Sequence, residues 1–158
     1  MHTVALGAEN KRVIMQLHAD GVSSTTLDMG EVPGFRHHEL DQRTLDDFVA
    51  QYSLPLPDLI KLDVQGSELA ILSQAQRCLK HAELVFAETW LVRGYGKQTP
   101  YITELIELLD KYDYDLAELG HRFYDANHRL YGCDAFFLKR NLLKRIAARL
   151  PQEEPWCS

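Results

Sequence analysis

The stretch Asp58-Leu59-Ile60-Lys61-Leu62-Asp63-Val64-Gln65-Gly66-Ser67-Glu68-Leu69-Ala70-Ile71-Leu72 decides the fold. Its first seven residues are a compact, mostly apolar run bounded upstream by Pro55 and Pro57, which reads as a strand. Gly66 breaks the run, and beyond it Ile71, Leu72, Ala75, Cys78 and Leu79 fall on one helical arc. The spacing predicts a strand, a tight turn and a helix. The same unit recurs in type: residues 83–89 predict a strand, Gly94 and Gly96 sit in the loop after it, and Ile102, Leu105, Ile106 and Leu109 mark an amphipathic helix. Such alternation predicts an α/β fold whose sheet is mostly parallel and covered by helices.

Working outward, residues 3–6 and 12–18 predict two short strands, and residues 20–34 a surface loop of Gly, Ser, Thr, Asp and Pro. Residues 36–40 predict another strand. Thr44 with Asp47 three residues on is an N-cap pattern opening a helix to about residue 52. Residues 114–119 and 133–139 predict two final strands around a polar turn at Asp125-Ala126-Asn127, and so short a connection makes them an antiparallel hairpin. A helix over 141–150 carries Leu142, Leu143, Ile146 and Leu150 on one side and Lys144, Arg145 and Arg149 on the other, read as a solvated outer face rather than a membrane surface. One domain over residues 1–150 and a loose tail over 151–158 are expected.

The chain has 158 residues, enough to bury a core without disulfides or a structural metal. Seventeen Lys and Arg against 23 Asp and Glu leave a net charge of −6, so no global field draws it to nucleic acid. Three cysteines without a C-x-x-C pair argue against a disulfide framework and a thiolate zinc site, and for reduced thiols in the cytoplasm. No leader pattern and no run of about 18 apolar residues occurs, so neither a signal peptide nor a membrane span is expected.

In an open parallel sheet ligands bind beyond the carboxyl ends of the strands, where loops and helix N-termini converge. That ranks Asp63 first, then Gln65, Gly66, Ser67 and Glu68 in the turn, with Glu88, Thr89 and Trp90 at the end of the next strand. The two acidic clusters should be neighbours. A carboxylate in Asp63's position can act as a general base, orient a substrate hydroxyl or hold a divalent cation, or it can simply cap the following helix; the residues alone do not choose. His121 after Gly120 is a further candidate base. His37 and His38 alternate faces on a strand and cannot easily share a metal, and no G-x-S-x-G elbow or P-loop is present.

The segment Thr44-Leu45-Asp46-Asp47-Phe48 followed by Lys61-Leu62-Asp63-Val64-Gln65-Gly66-Ser67-Glu68 resembles the FkbM-type methyltransferase family, whose pattern is a T-L-D-D stretch and then K-x-D-x-[EQ]-G-x-E before a Leu-containing helix. Ala5-Leu6-Gly7, Ser23-Ser24, Glu88 and Asp134-Ala135-Phe136-Phe137-Leu138 add to the likeness, which spans roughly residues 3–140. The resemblance implies a class I, Rossmann-like methyltransferase fold, S-adenosylmethionine as cofactor, and a small-molecule hydroxyl, such as that of a sugar, as acceptor. It implies Asp63 beside the transferred methyl, with Glu68 as a second catalytic candidate. Gln65 and Ser24 join Asp63 as cofactor-binding candidates, and Glu88, Trp90 and His121 stand as acceptor-binding candidates.

The family's first two strands and its glycine-rich cofactor loop precede the region matched, so an incomplete sheet with an open strand edge is expected. That edge opens a second reading, a non-catalytic Rossmann-like module or half of a split enzyme that pairs with another copy. A glycosyl- or nucleotide-handling α/β enzyme is the third reading.

Overall fold

The structure, a computed structural model, describes residues 4–19, 24–28, 30 and 35–149. Seven strands and five helices occur among them: β1 (Ala5–Leu6), β2 (Lys11–His18), β3 (Phe35–Arg43), α1 (Leu45–Gln51), β4 (Leu59–Leu62), α2 (Glu68–Leu72), α3 (Gln76–His81), β5 (Leu84–Trp90), α4 (Ile102–Asp110), β6 (Tyr114–Tyr124), β7 (Leu130–Lys139) and α5 (Arg140–Ala147). Thr3, Ser23 and the tail at 151–158 lie outside the described residues.

The class is α/β, as the pattern predicts, but the sheet is not mostly parallel. Two mixed sheets are present, a three-stranded one ordered β1-β3-β2 and a four-stranded one ordered β4-β5-β7-β6. Only the β1–β3 and β4–β5 pairs run parallel; β2–β3, β5–β7 and β6–β7 are antiparallel. Of these, the β6–β7 pairing has a local cause. Asp125 Oδ1 accepts from the N–H groups of Asn127 and Arg129 at 2.8 and 2.9 Å, closing a turn so tight that β7 must fold back on β6, as expected for a hairpin. β7 then lies between β6 and β5, and the sheet ends on antiparallel partners.

In the larger sheet β4, β5 and the second half of β7 bury alternate residues. Ile60, Leu62, Val85, Ala87, Ala135 and Phe137 point into one core with Val49, Ile71, Leu72, Leu79, Leu105 and Leu109 from α1 to α4, so these helices cover one face. The other face carries Lys61, Phe86 and Phe136, with the two Phe rings stacked at 4.6 Å and the Lys61 ammonium 5.6 Å above Phe86.

The single helix predicted after Gly66 is two helices, α2 and α3. Asp46 supplies the reason: its carboxylate accepts from the N–H groups of Arg77 and Cys78 at 2.7 and 3.0 Å, starting a new helix from outside. Thr44 caps α1 through the Asp47 N–H at 3.1 Å, as its pattern predicts. α5 is tied down rather than wholly solvated. Arg140 reaches Asp110, Asp113 and Asp115, and Arg145 pairs with Glu83 at 2.6 Å.

Candidate active site

Leu62 pairs with Ala87 in the parallel β4–β5 ladder, so the next residue on each strand, Asp63 and Glu88, stand side by side at the carboxyl end. Gln65 joins them. Its Nε2 donates to Asp63 Oδ1 at 3.0 Å and to Glu88 Oε2 at 2.8 Å, while its Oε1 accepts from the Tyr95 hydroxyl. Gln65 is 7% exposed and holds a left-handed backbone at φ +55, a conformation that costs a side-chain-bearing residue about 1–2 kcal/mol unless its surroundings enforce it. Those surroundings are visible: besides the side-chain bonds, the Gln65 carbonyl accepts from Thr25 Oγ1 at 3.0 Å.

Gly66 follows at φ +101, and a Cβ there would stand 2.9 Å from Leu27 Cδ1, 3.2 Å from Thr99 Oγ1 and 3.3 Å from Tyr95 Cβ. Only glycine lets the turn accept both the backbone angle and these neighbours. Glu68, fully buried, closes the turn from below by accepting from the N–H groups of Val64 and Gly66 at 3.3 and 3.2 Å. Its Oε2 has no hydrogen-bond partner. Burial pushes its carboxyl above the usual range against the pull of those backbone N–H groups, and the charge of Asp63 pushes the same way.

Asp63 is half exposed and pairs with Lys61 at 3.1 Å. Glu88 is half-buried and faces Asp134 across the β5–β7 ladder. Burial first, then the charges of Asp63, Glu68 and Asp134, raise the Glu88 carboxyl to about 7, with the Gln65 hydrogen bond opposing them.

Two clefts flank this cluster. One, of about 450 Å³, is walled by Met15, Ser24, Leu40, Leu62, Asp63 and their neighbours, between the small sheet and β4. The other, of about 630 Å³, is walled by Trp90, Tyr95 and Tyr131 with Asp125 and Arg129 at one side. Trp90 packs edge-on to Tyr95 at 5.2 Å and stacks on Tyr131 at 5.9 Å. Gln65 therefore hydrogen-bonds a wall of each cleft, Asp63 and Tyr95.

The structure thus brings Asp63, Gln65, Glu68 and Glu88 into one cluster, with Ser24 in the cleft beside Asp63 and Trp90 in the aromatic cleft. Glu68 sits beneath the turn rather than in either cleft. His121 stands apart, exposed on the outer strand β6 with β7 between it and β5, its ring against Phe123 at 5.3 Å. Tyr95 and Asp134 escaped the reading of the sequence as site residues. A tyrosine between Gly94 and Gly96 is a signal for the first; the second depends on a ladder register that no local pattern encodes. Among the described residues, no group of three or more His, Cys, Asp or Glu side chains is arranged to hold a metal ion, and no helix is long and apolar enough to cross a membrane.

The Methyltransferase FkbM domain matches residues 1–116, which include the T-L-D-D stretch, the turn at Gln65-Gly66 and the end of β5. No curated protein and no solved structure gives a match. With a family match over well more than half its length, and with the Asp63-to-Glu68 part of the motif standing at the carboxyl end of β4 beside the end of β5, the chain belongs to the FkbM methyltransferase domain family.

Proposed function

We propose that the chain is an S-adenosylmethionine-dependent methyltransferase acting on a hydroxyl group of a small molecule such as a sugar. One observation carries the reading: a single carboxamide, Gln65, ties Asp63, which borders one cleft, to Tyr95, which borders the other, and holds the Glu88 carboxylate as well.

The residues present fit the cofactor. At about 450 Å³ the cleft beside Asp63 falls within the range of about 300–1,000 Å³ for small-molecule sites. Its walls are mainly apolar, with the Ser24, Thr25 and Thr26 side chains, the Asp63 carboxylate and Lys61, which pairs with that carboxylate at 3.1 Å. Gly7, at the end of β1, is not part of a cofactor cradle, because the space a Cβ would take there is filled by the Gln42 carboxamide. Asp63 and Ser24 would hold the cofactor, Asp63 with a charge opposite to that of a sulfonium. When bound, the cofactor supplies an electrophilic methyl group.

The chain's own work is to orient the hydroxyl and take its proton. The Asp63–Glu88 pair does this with Glu88 as the proton-accepting member, since a carboxyl raised to about 7 is partly ionised near neutrality and binds a proton more avidly than an ordinary carboxylate. Gln65 holds the two carboxylates at a fixed spacing without adding a third negative charge. The aromatic cleft receives the acceptor, with Trp90 and Tyr131 as flat apolar surfaces and Asp125 and Arg129 as polar rim.

Calorimetry with S-adenosylhomocysteine tests the reading. Micromolar binding by the wild type and its loss in Asp63→Asn is the expected result; no binding by a folded wild type would overturn it. A second reading, a non-catalytic module that pairs through a strand edge, is favoured by the position of β4 at the end of its sheet. Concentration-dependent association without ligand binding would select it.

A further inference from the structure

Tyr95 has no counterpart in the motif residues discussed so far, yet three separate contacts fix where its phenol goes. The Tyr95 N–H donates to Thr99 Oγ1 at 2.9 Å, and its ring meets Trp90 edge-on. Its Cβ occupies the space that a side chain at position 66 would contest, 3.3 Å from the missing Cβ. Its hydroxyl donates to Gln65 Oε1. The loop that carries it is pinned by Arg93, whose guanidinium donates to the carbonyls of Lys97 and Thr99 at 2.9 and 2.6 Å and to Glu104 at 3.2 Å, and lies 4.4 Å from the Tyr101 ring.

A glutamine amide has a donor end and an acceptor end, and only one of its two orientations suits a site with carboxylates on one side and a hydroxyl donor on the other. We infer that Tyr95 is a positioning residue: by donating to Gln65 Oε1 it locks the carboxamide with its two N–H groups turned to Asp63 and Glu88. Tyr95 also walls the aromatic cleft, so one residue both borders that cleft and holds the amide that the carboxylate pair shares. This deepens the methyltransferase reading of the site and takes its purpose from that reading, while its test uses no turnover.

The test is carbon-detected NMR titration of the Glu88 side-chain carboxyl. The charged groups facing Glu88 are Asp63, itself held by Lys61, then Glu68 of α2 and Asp134 of β7; all remain in the variants. In Tyr95→Phe the Gln65 oxygen loses its donor inside a nearly buried site and the amide is free to rotate. The Glu88 midpoint should then rise by about one pH unit as the Gln65 bond weakens. Thr99→Ala, which loosens only the Tyr95 backbone, should shift it the same way by less. Tyr101→Phe makes the same chemical change in the same loop and should leave the midpoint in place.

A Tyr95→Phe midpoint equal to the wild type in a folded protein, or an equal shift in Tyr101→Phe, would overturn the inference. S-adenosylhomocysteine calorimetry on the same wild-type sample separates the two ideas, since absent binding removes the methyltransferase reading without moving the titration.

Discussion

Glu88 stands directly opposite Asp134 in the antiparallel ladder of β5 and β7, two acids on one face of the sheet where cross-strand neighbours approach most closely. The repulsion is one of the causes that raise the Glu88 carboxyl to about 7, after burial and alongside Asp63 and Glu68. Asp134→Asn keeps the shape and removes the charge. The Glu88 midpoint should fall below its wild-type value in an NMR titration; an unchanged midpoint would mean that burial, Asp63 and Glu68 alone hold it.

The same carboxyl makes stability depend on pH in a direction opposite to the usual surface acid. An unfolded Glu titrates at about 4.3 and Glu88 in the fold at about 7, so the folded state binds the proton more tightly. Its contribution is full below about pH 4.3 and is lost as pH climbs to about 7. Glu68, also raised, acts in the same sense. Asp47, Glu83 and Asp125, held below the usual range by side-chain and backbone donors, stabilise above their unfolded values and lose that effect in acid. Urea unfolding between pH 5 and 7.5 should therefore show wild-type stability declining with pH, and Glu88→Gln should flatten the slope. Parallel slopes in the two proteins would contradict the assignment.

How much of this was legible in the sequence follows from where each determinant lies along the chain. The strand and turn around Asp63 rest on local periodicity and one glycine, and they form where read, with a helix starting just after them at Glu68. The meeting of Asp63 and Glu88 was legible too, because neighbouring parallel strands end level with each other. The mixed sheets were not, since the place of β7 between β5 and β6 comes from packing of distant segments. Nor was the break between α2 and α3: the apolar arc runs through it unbroken, and the carboxylate that starts α3 belongs to Asp46, on another helix. Tyr95 was hidden for a related reason, since its role is defined by what Gln65 needs on its far side.

Gly66 is the position where the turn has least tolerance. An alanine must adopt φ +101 and put its methyl 2.9 Å from Leu27 Cδ1 and 3.3 Å from Tyr95 Cβ. The backbone alone should cost about 1–3 kcal/mol, and the displaced Tyr95 would weaken the hold on Gln65. Urea denaturation of Gly66→Ala is expected to give a loss in that range. A loss under half a kcal/mol would mean that the turn relaxes around the methyl.

Asp46 offers a test of why the T-L-D-D stretch is present at all. Thr44 caps its own helix, Asp47 accepts from the Asn10 side chain at 2.7 Å, and Asp46 satisfies two N–H groups at the start of α3, so each polar side chain of the stretch serves packing rather than chemistry. Removing an N-terminal cap costs about 0.5–2 kcal/mol. Cys78, one of the two N–H donors, is fully buried, so water cannot replace the lost acceptor easily and the upper half of that range is expected. Asp46→Ala should lower the urea midpoint accordingly while leaving the affinity for S-adenosylhomocysteine within about twofold of the wild type, a change of roughly 0.4 kcal/mol. Equilibrium unfolding and calorimetry on one preparation check both halves. A variant that kept its stability and lost binding would move Asp46 out of the scaffold and into the site.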